Sequence, residues 1–211
     1  ANHGFAGTAT DGTGVFNFTN FDVLTGNAST SNTLVGENVS NTWTLPAAST
    51  NSGTLNDGTD ILTFTNFGSL TGGTAADNFV FGNAATVTGI ISGGTGGSNT
   101  LNFATYTTAI NVTFTSSSAN GYNGTTSGAV NPIGGNFANI TDIILPAGLG
   151  NTLTGQNTGN TWTITSLNSG TLSDGVNIFN FTNVANLIGG TALDTFIFLG
   201  GTLTGNIDGG A

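Results

Sequence analysis

Lysine and arginine are absent from this chain of 211 residues, which carries ten Asp and Glu and one histidine, for a formal net charge of −10. Without a basic residue it has no ordinary means of gripping phosphate, and an acidic surface repels nucleic acid and anionic lipid. Nucleic-acid binding is excluded as an expectation. Apart from His3 and a free amino terminus, no group can form a salt bridge with a carboxylate, so any buried Asp or Glu must find N–H donors or a metal ion. Cysteine is also absent, which rules out a disulfide framework. No segment has the run of about 20 apolar residues of a helical membrane span, and no basic and apolar leader opens the chain. Methionine is missing too, which suggests that Ala1 is a processed end or the edge of an excerpt. Only 5 % of residues are charged, and Lys, Arg, Glu and Gln, which would favour helix, are scarce or missing.

What is present is glycine, threonine, asparagine and bulky apolar residues: 35 Gly and 15 Phe, with many Val, Ile and Leu. Regularly spaced bulky residues can bury enough surface to offset backbone ordering, so the chain folds rather than remaining disordered. The lack of basic residues leaves trypsin-like proteases no cleavage site, which suits a secreted, extracellular or cell-surface location.

The chain repeats itself. Asn32-Thr33-Leu34-Val35-Gly36 and Asn41-Thr42-Trp43-Thr44-Leu45 return as Asn151-Thr152-Leu153-Thr154-Gly155 and Asn160-Thr161-Trp162-Thr163-Ile164. Asn51-Ser52-Gly53-Thr54-Leu55 and Phe64-Thr65-Asn66 return as Asn168-Ser169-Gly170-Thr171-Leu172 and Phe181-Thr182-Asn183. The period is 117–119 positions, giving a first long repeat over 1–118 and a second, shorter one over 119–211, continuous with the first. Gly4-Phe5 and Gly7-Thr8 match Gly121-Tyr122 and Gly124-Thr125, and Asn206-Ile207-Asp208-Gly209-Gly210 matches 90–94. A chain that opens at a repeat boundary and stops partway through a copy is expected to continue in a parent chain or to stack on another molecule.

Within the long period runs a beat of about 8–12 residues. Phe16-Asn17-Phe18-Thr19, 42–45, 61–65, 78–81, 86–90, 99–103 and 110–114 alternate bulky with small or polar residues, which predicts short half-buried strands. Asp11-Gly12, Asp57-Gly58, Asp174-Gly175, Gly72-Gly73, Gly93-Gly94, Gly134-Gly135 and Gly189-Gly190 separate them and supply positive φ angles for corners. The predicted fold is all-β. A parallel β-solenoid, with apolar residues stacked inside and Asn or Thr ladders at its corners, fits better than tandem β-sandwich domains. The short motif recurs inside the long period, and glycine is spread evenly.

Gly72-Gly73-Thr74-Ala75-Ala76-Asp77-Asn78-Phe79-Val80 and Gly189-Gly190-Thr191-Ala192-Leu193-Asp194-Thr195-Phe196-Ile197 follow G-G-x-G-x-D-x-U-x with Ala in place of the third Gly. In this the chain resembles large secreted bacterial repeat proteins related to RTX and filamentous-haemagglutinin-type adhesins. That resemblance implies calcium at Asp77 and Asp194. The adjoining repeats lack the Asp of a tandem ligand set, and an Asp that caps its own turn accounts for both positions. No cofactor is required, with calcium the one candidate.

Other constellations point away from catalysis. A β-helical polysaccharide lyase needs a basic residue, and a glycosidase needs two carboxylates facing across a sugar, whereas Asp22, Asp142 and the other acids sit mostly at repeating corners. Asp57 and Asp60 form a close pair explained by a turn cap and a solvated charge. His3 is a lone terminal histidine. Thr42-Trp43-Thr44 and Thr63-Phe64-Thr65 are too irregular for the flat Thr-x-Thr face of an ice-binding solenoid. The sequons at Asn17, Asn38, Asn111, Asn139 and Asn180 are those a chain rich in Asn and Thr supplies by chance. The residues expected to matter are packing residues, Phe64, Phe79, Phe181, Phe196, Trp43 and Trp162, and the corner glycines Gly72, Gly73, Gly189 and Gly190. The expected function is a non-enzymatic structural one: a stiff segment of a bacterial surface adhesin, or the repeating body of a filament or biofilm matrix. Self-association into a fibre is the expected partner interaction, with a glycan or host surface as a further ligand and no membrane insertion.

Overall fold

The computed structural model describes residues 4–10, 14–27 and 32–210. His3, the Ala1-Asn2 start and the Asp11-Gly12 corner lie outside them. Among the described residues every regular element is a strand, 22 in all, arranged in three sheets with mostly parallel pairing. No helix is present there that could cross a membrane.

The chain alternates between two large sheets. After a hairpin of β1 (Phe5–Thr10) and β2 (Val15–Phe21), β3 (Val23–Thr25) enters an 11-stranded sheet and β4 (Thr33–Val35) a 9-stranded one. Three consecutive strands, β5 (Asn41–Leu45), β6 (Ser52–Asn56) and β7 (Ile61–Thr65), return to the first sheet, and β8 (Ser69–Thr71) to the second. Single strands follow in alternation: β9 (Asp77–Phe81), β10 (Ile91–Ser92) and β11 (Thr100–Asn102). The 9-stranded sheet then takes a triplet, β12 (Ile110–Ser118), β13 (Gly121–Gly128) and β14 (Phe137–Ile140), after which β15 (Asp142–Ile144) and β16 (Thr152–Thr154) alternate again. A last triplet, β17 (Thr161–Ser166), β18 (Ser169–Ser173) and β19 (Ile178–Thr182), precedes β20 (Asn186–Ile188), β21 (Thr195–Phe198) and β22 (Ile207–Asp208).

Single strands pair in parallel with the preceding and following visits to the same sheet, so side chains stack in columns. In one sheet Trp43 faces Phe79, Phe79 faces Leu101, Leu101 faces Ile143 and Ile143 faces Phe181. In the other, Leu34, Leu70, Ile91 and Phe137 form one column and Val112, Leu153, Leu187 and Ile207 another. Along these strands the buried positions alternate with exposed or half-buried ones, so both sheets turn their bulky residues onto one shared core. Both large sheets draw strands from residues on either side of position 118, as β11 with β15 and β12 with β16 demonstrate. Mostly parallel sheets shared in this way differ from tandem sandwiches, whose antiparallel sheets would each close within one copy.

The triplets are antiparallel meanders that the sequence reading did not anticipate. In each, the first strand lands furthest along the sheet and the next two step back: the order is β9-β5-β6-β7, β16-β12-β13-β14 and β21-β17-β18-β19. A glycine on the middle strand faces a phenylalanine on the third: Gly53 with Phe64, Gly124 with Phe137 and Gly170 with Phe181. The hairpin repeats this with Gly7 and Phe18. A Cβ on Gly124 would lie 2.7 Å from the Phe137 ring, and one on Gly7 2.8 Å from the Phe18 ring. The ring therefore occupies the space that a side chain on the middle strand would need.

One predicted strand is absent. Residues 86–90 make only isolated bridges, Thr50 with Thr86 and Val87 with Ile133. Asn51 diverts this segment into a corner: its side-chain oxygen accepts the Thr88 N–H at 2.9 Å, and its amide donates to Thr88 Oγ1 at 2.9 Å. Strand pairing resumes at Ile91.

Candidate functional site

Several of the polar groups held inside this structure, Asn41, Asp77, Asn99 and Asn160, lie where the chain turns into the 11-stranded sheet. Asn41 and Asn160, at the start of β5 and just before β17, take the same part in the two copies. The backbone and side-chain N–H groups of Asn41 donate to Asp77 Oδ1 at 3.1 and 2.7 Å, and those of Asn160 donate to Asp194 Oδ1 at 2.8 and 2.7 Å. The same amide of Asn41 donates to the carbonyls of Glu37 and Val39, and that of Asn160 to Gln156 and Thr158. The first ladder extends a further strand, since the Asp77 N–H donates to Asn99 Oδ1 at 3.0 Å and the Asn99 amide reaches the Asn139 carbonyl. Asn99 both accepts and donates between successive strands, whereas the Asn41 and Asn160 amides act as donors and their Oδ1 atoms are buried without a partner.

The two aspartates differ in their second oxygen. Asp77 Oδ2 accepts the Gly73 N–H at 2.9 Å, whereas Asp194 Oδ2 is buried without a partner. Gly190 has a φ of +136°, while Gly73 lies outside the left-handed region. Burial pushes the Asp77 carboxyl above its ordinary value, against the opposing pull of the hydrogen bonds from Asn41 and Gly73. Each aspartate is thus bound by N–H donors in a separate corner. Among the described residues no three of His, Asp and Glu gather where they could hold a metal ion.

The corner glycines are required chiefly by close approach. A Cβ on Gly72 would lie 2.1 Å from Asp77 Oδ2 and 2.6 Å from the Gly93 carbonyl, and one on Gly189 2.3 Å from Asp194 Oδ2. A Cβ on Gly73 would meet the Glu37 carbonyl at 2.0 Å. Of these four only Gly190 lies at positive φ, so the conformational reason inferred from sequence applies to one and steric access to the others. At Asp57-Gly58 and Asp174-Gly175 the turn chemistry is as read, with Gly58 at +95° and Gly175 at +91°. Positive φ also falls on asparagines in equivalent places, Asn51 with Asn168 and Asn66 with Asn183, which the sequence reading treated only as repeat markers.

The packing residues come together as two matching triads. Trp43 stacks on Phe79 with centroids 5.6 Å apart and meets Phe64 edge-on at 5.9 Å; Trp162 stacks on Phe196 at 5.7 Å and meets Phe181 at 6.1 Å. All are buried except Phe196, which packs against the core from a partly exposed position.

Asp174 anchors a polar site that the sequence did not reveal. Its carboxylate accepts from the Ser117 hydroxyl at 2.5 Å, the Gln156 amide at 3.2 Å and the Asn177 and Val176 N–H groups at 2.7 and 2.9 Å, while its own N–H donates to the Tyr122 hydroxyl. Burial raises this carboxyl, but the hydrogen bonds from Asn177, Ser117 and Val176 outweigh it and hold the group well below the usual carboxylate range. The equivalent Asp57 caps only its own turn, accepting from the Thr59 and Asp60 N–H groups at 2.7 Å. A groove of about 720 Å³ runs beside Asp174 past Ser116, Asn157 and Thr158. Its lining holds one carboxylate and no aromatic ring.

Compared with known protein families, with curated proteins and with solved structures, the chain matches none.

Proposed function

We propose that this chain is a non-enzymatic, extracellular structural protein: a stiff β-solenoid segment, serving as the body of a bacterial surface adhesin or as the repeating subunit of a filament or matrix. The observation that carries this reading is the alternation of the chain between two sheets, which stacks equivalent residues in columns over a continuous apolar core. Each alternation is one coil, and a coil contacts chiefly its neighbours, so the shape extends by repetition. Asn and Asp ladders tie coil to coil at the corners, where a rod under load would otherwise splay. The acidic, lysine-free exterior gives solubility and lets divalent cations bridge neighbouring rods. Secretion fits a chain without basic cleavage sites.

Electron microscopy and sedimentation of the purified chain test this reading. Rods that associate end to end or side by side are the expected result, and discrete compact monomers at every concentration would overturn the filament form. A calcium-binding module is the second reading, favoured by the unpartnered Asp194 Oδ2. It requires a chelator to lower the melting temperature, and a melt unchanged by EDTA removes it.

A further inference from the structure

Asp174 brings a nucleophile and an acyl group to one oxygen. Its Oδ2 accepts from the Ser117 hydroxyl at 2.5 Å and from the Gln156 side-chain amide at 3.2 Å, and that amide nitrogen stands 3.4 Å from Ser117 Oγ. The carbonyl carbon of the amide is one bond from the nitrogen, so the hydroxyl lies beside the bond that an acyl transfer would break.

The three groups are held from several sides. Asp174 Oδ1 accepts the Val176 and Asn177 N–H groups, and the Asp174 N–H donates at 3.0 Å to the hydroxyl of Tyr122, which is buried and faces Ser117 across the β12–β13 pair. Gln156 is 5 % exposed. The neighbouring serines are engaged elsewhere, Ser116 with Asn123 and Ser118 with Asn139, so Ser117 is the hydroxyl presented. Gln156 is also the only glutamine of the chain, and it stands where the first copy has Glu37, the only glutamate. A carboxylate has no ammonia to lose, so the reactive set belongs to the second copy alone.

We propose that Ser117 and Gln156 join in an ester, with Asp174 as the proton carrier: an internal crosslink that the chain forms on itself. As Ser117 Oγ bonds to the Gln156 carbonyl carbon, its proton passes to Asp174 Oδ2. The same oxygen gives the proton to Nε2, the carbon–nitrogen bond breaks with its electron pair on nitrogen, and ammonia leaves. Asp174 ends ionised, as it began, and nothing is oxidised or reduced. The groove beside Asp174 gives ammonia a way out, and its protonation and dilution in solvent draw the exchange forward. Amides resist alcohols, but groups held in contact react as though at about 10⁵–10⁸ M, and a crosslink needs to form only once. The ester ties β12, in the 9-stranded sheet, to the segment entering β17 of the 11-stranded sheet. It encloses β13 to β16 in a covalent loop that tension on the chain cannot extend.

Intact-mass spectrometry of the purified chain, followed during incubation at neutral pH, tests the crosslink. The parent is expected to become lighter by one ammonia, while S117A keeps its sequence mass. D174N, shown to be folded by its tryptophan emission, is expected to keep its mass over the same period. Fragmentation places the link between positions 117 and 156, and hydroxylamine opens it to a hydroxamate at 156 with the chain whole. Ammonia lost instead at an Asn-Gly pair such as Asn120-Gly121 would persist in S117A and let hydroxylamine break the chain there. That result overturns the proposal, as does a parent that keeps its full mass throughout. A folded D174N that loses ammonia as fast as the parent overturns the part assigned to Asp174.

Discussion

Asp77 and Asp194 hold equivalent places in the two copies, yet replacing each by asparagine is predicted to have different consequences. In D77N the remaining oxygen still accepts from both N–H groups of Asn41, but an NH2 group now stands where Oδ2 accepts the Gly73 N–H. Leaving that buried donor without a partner costs about 1–3 kcal/mol, and the two retained bonds each weaken by roughly 1 kcal/mol when their acceptor loses its charge. Relief of the buried charge, whose cost is visible in the raised Asp77 pKa, returns part of this. The net loss is about 2–3 kcal/mol. In D194N the same two bonds from Asn160 weaken, but Oδ2 has no donor to lose, and removing an unpartnered buried oxygen of a charged group offsets most of the cost. D194N therefore stays within about 1 kcal/mol of the parent. A difference of about 2 kcal/mol corresponds to roughly 4–8 °C in a chain of this size. Urea and thermal unfolding, followed by tryptophan emission and far-ultraviolet circular dichroism together, measure it; two probes are needed because repetitive chains can unfold in steps. Equal losses in the two variants, or a larger loss in D194N, would refute the assignment of the difference to the Gly73 N–H.

Three further outcomes follow from the same geometry. The Asp174 carboxyl has its pKa depressed in the folded state, so its stabilising contribution is present above the unfolded value of about 4 and is lost as pH falls below it; acid titration of D174N should show a shallower decline than the parent. Gly72→Ala, which meets Asp77 and the Gly93 carbonyl, should prevent folding or cost several kcal/mol, while Gly58→Ala, with open space but a φ of +95°, should cost about 1 kcal/mol; parallel melts of the two separate close approach from backbone conformation. Phe79→Ala should cost about 3–5 kcal/mol, and Phe196→Ala distinctly less because Phe196 is only partly buried, a gap that denaturant midpoints measure.

How much of this was legible in the sequence depends on the residue pattern at each place. The alternation Ile61-Leu62-Thr63-Phe64-Thr65 marks β7 to the residue, because Leu62 and Phe64 are the buried pair on that strand. The equivalence of Trp43 and Trp162 likewise carried over to matching stacks on Phe79 and Phe196. The middle strands of the meanders were not legible: Ser52-Gly53-Thr54-Leu55 and Gly121-Tyr122-Asn123-Gly124 carry glycine where an inward apolar residue would signal a strand. A phenylalanine 11 residues on faces each glycine, Gly7 and Phe18, Gly53 and Phe64, and Gly170 and Phe181, and at Gly7 and Gly53 its ring lies in that space. That recurring pair is the signal that identifies these strands. The Asp174 site was hidden for another reason. Its donors Ser117 and Gln156 are brought to it by chain topology alone, while Asn177 lies on the turn of Asp174 itself.

The meanders also govern how the molecule can be taken apart. Pulled from its beginning, the chain frees β3 and β4 and then reaches β5, which lies inside its sheet between β9 and β6 while β7 holds the edge. Pulled from the other end, it frees β22, β21 and β20 and then reaches β19, between β15 and β18, with β17 at the edge. In both directions the next strand under tension is not the one free to leave. Three strands must yield together, so the array resists unzipping like a knit whose row is locked by every third stitch, and extension under force proceeds in large steps rather than strand by strand.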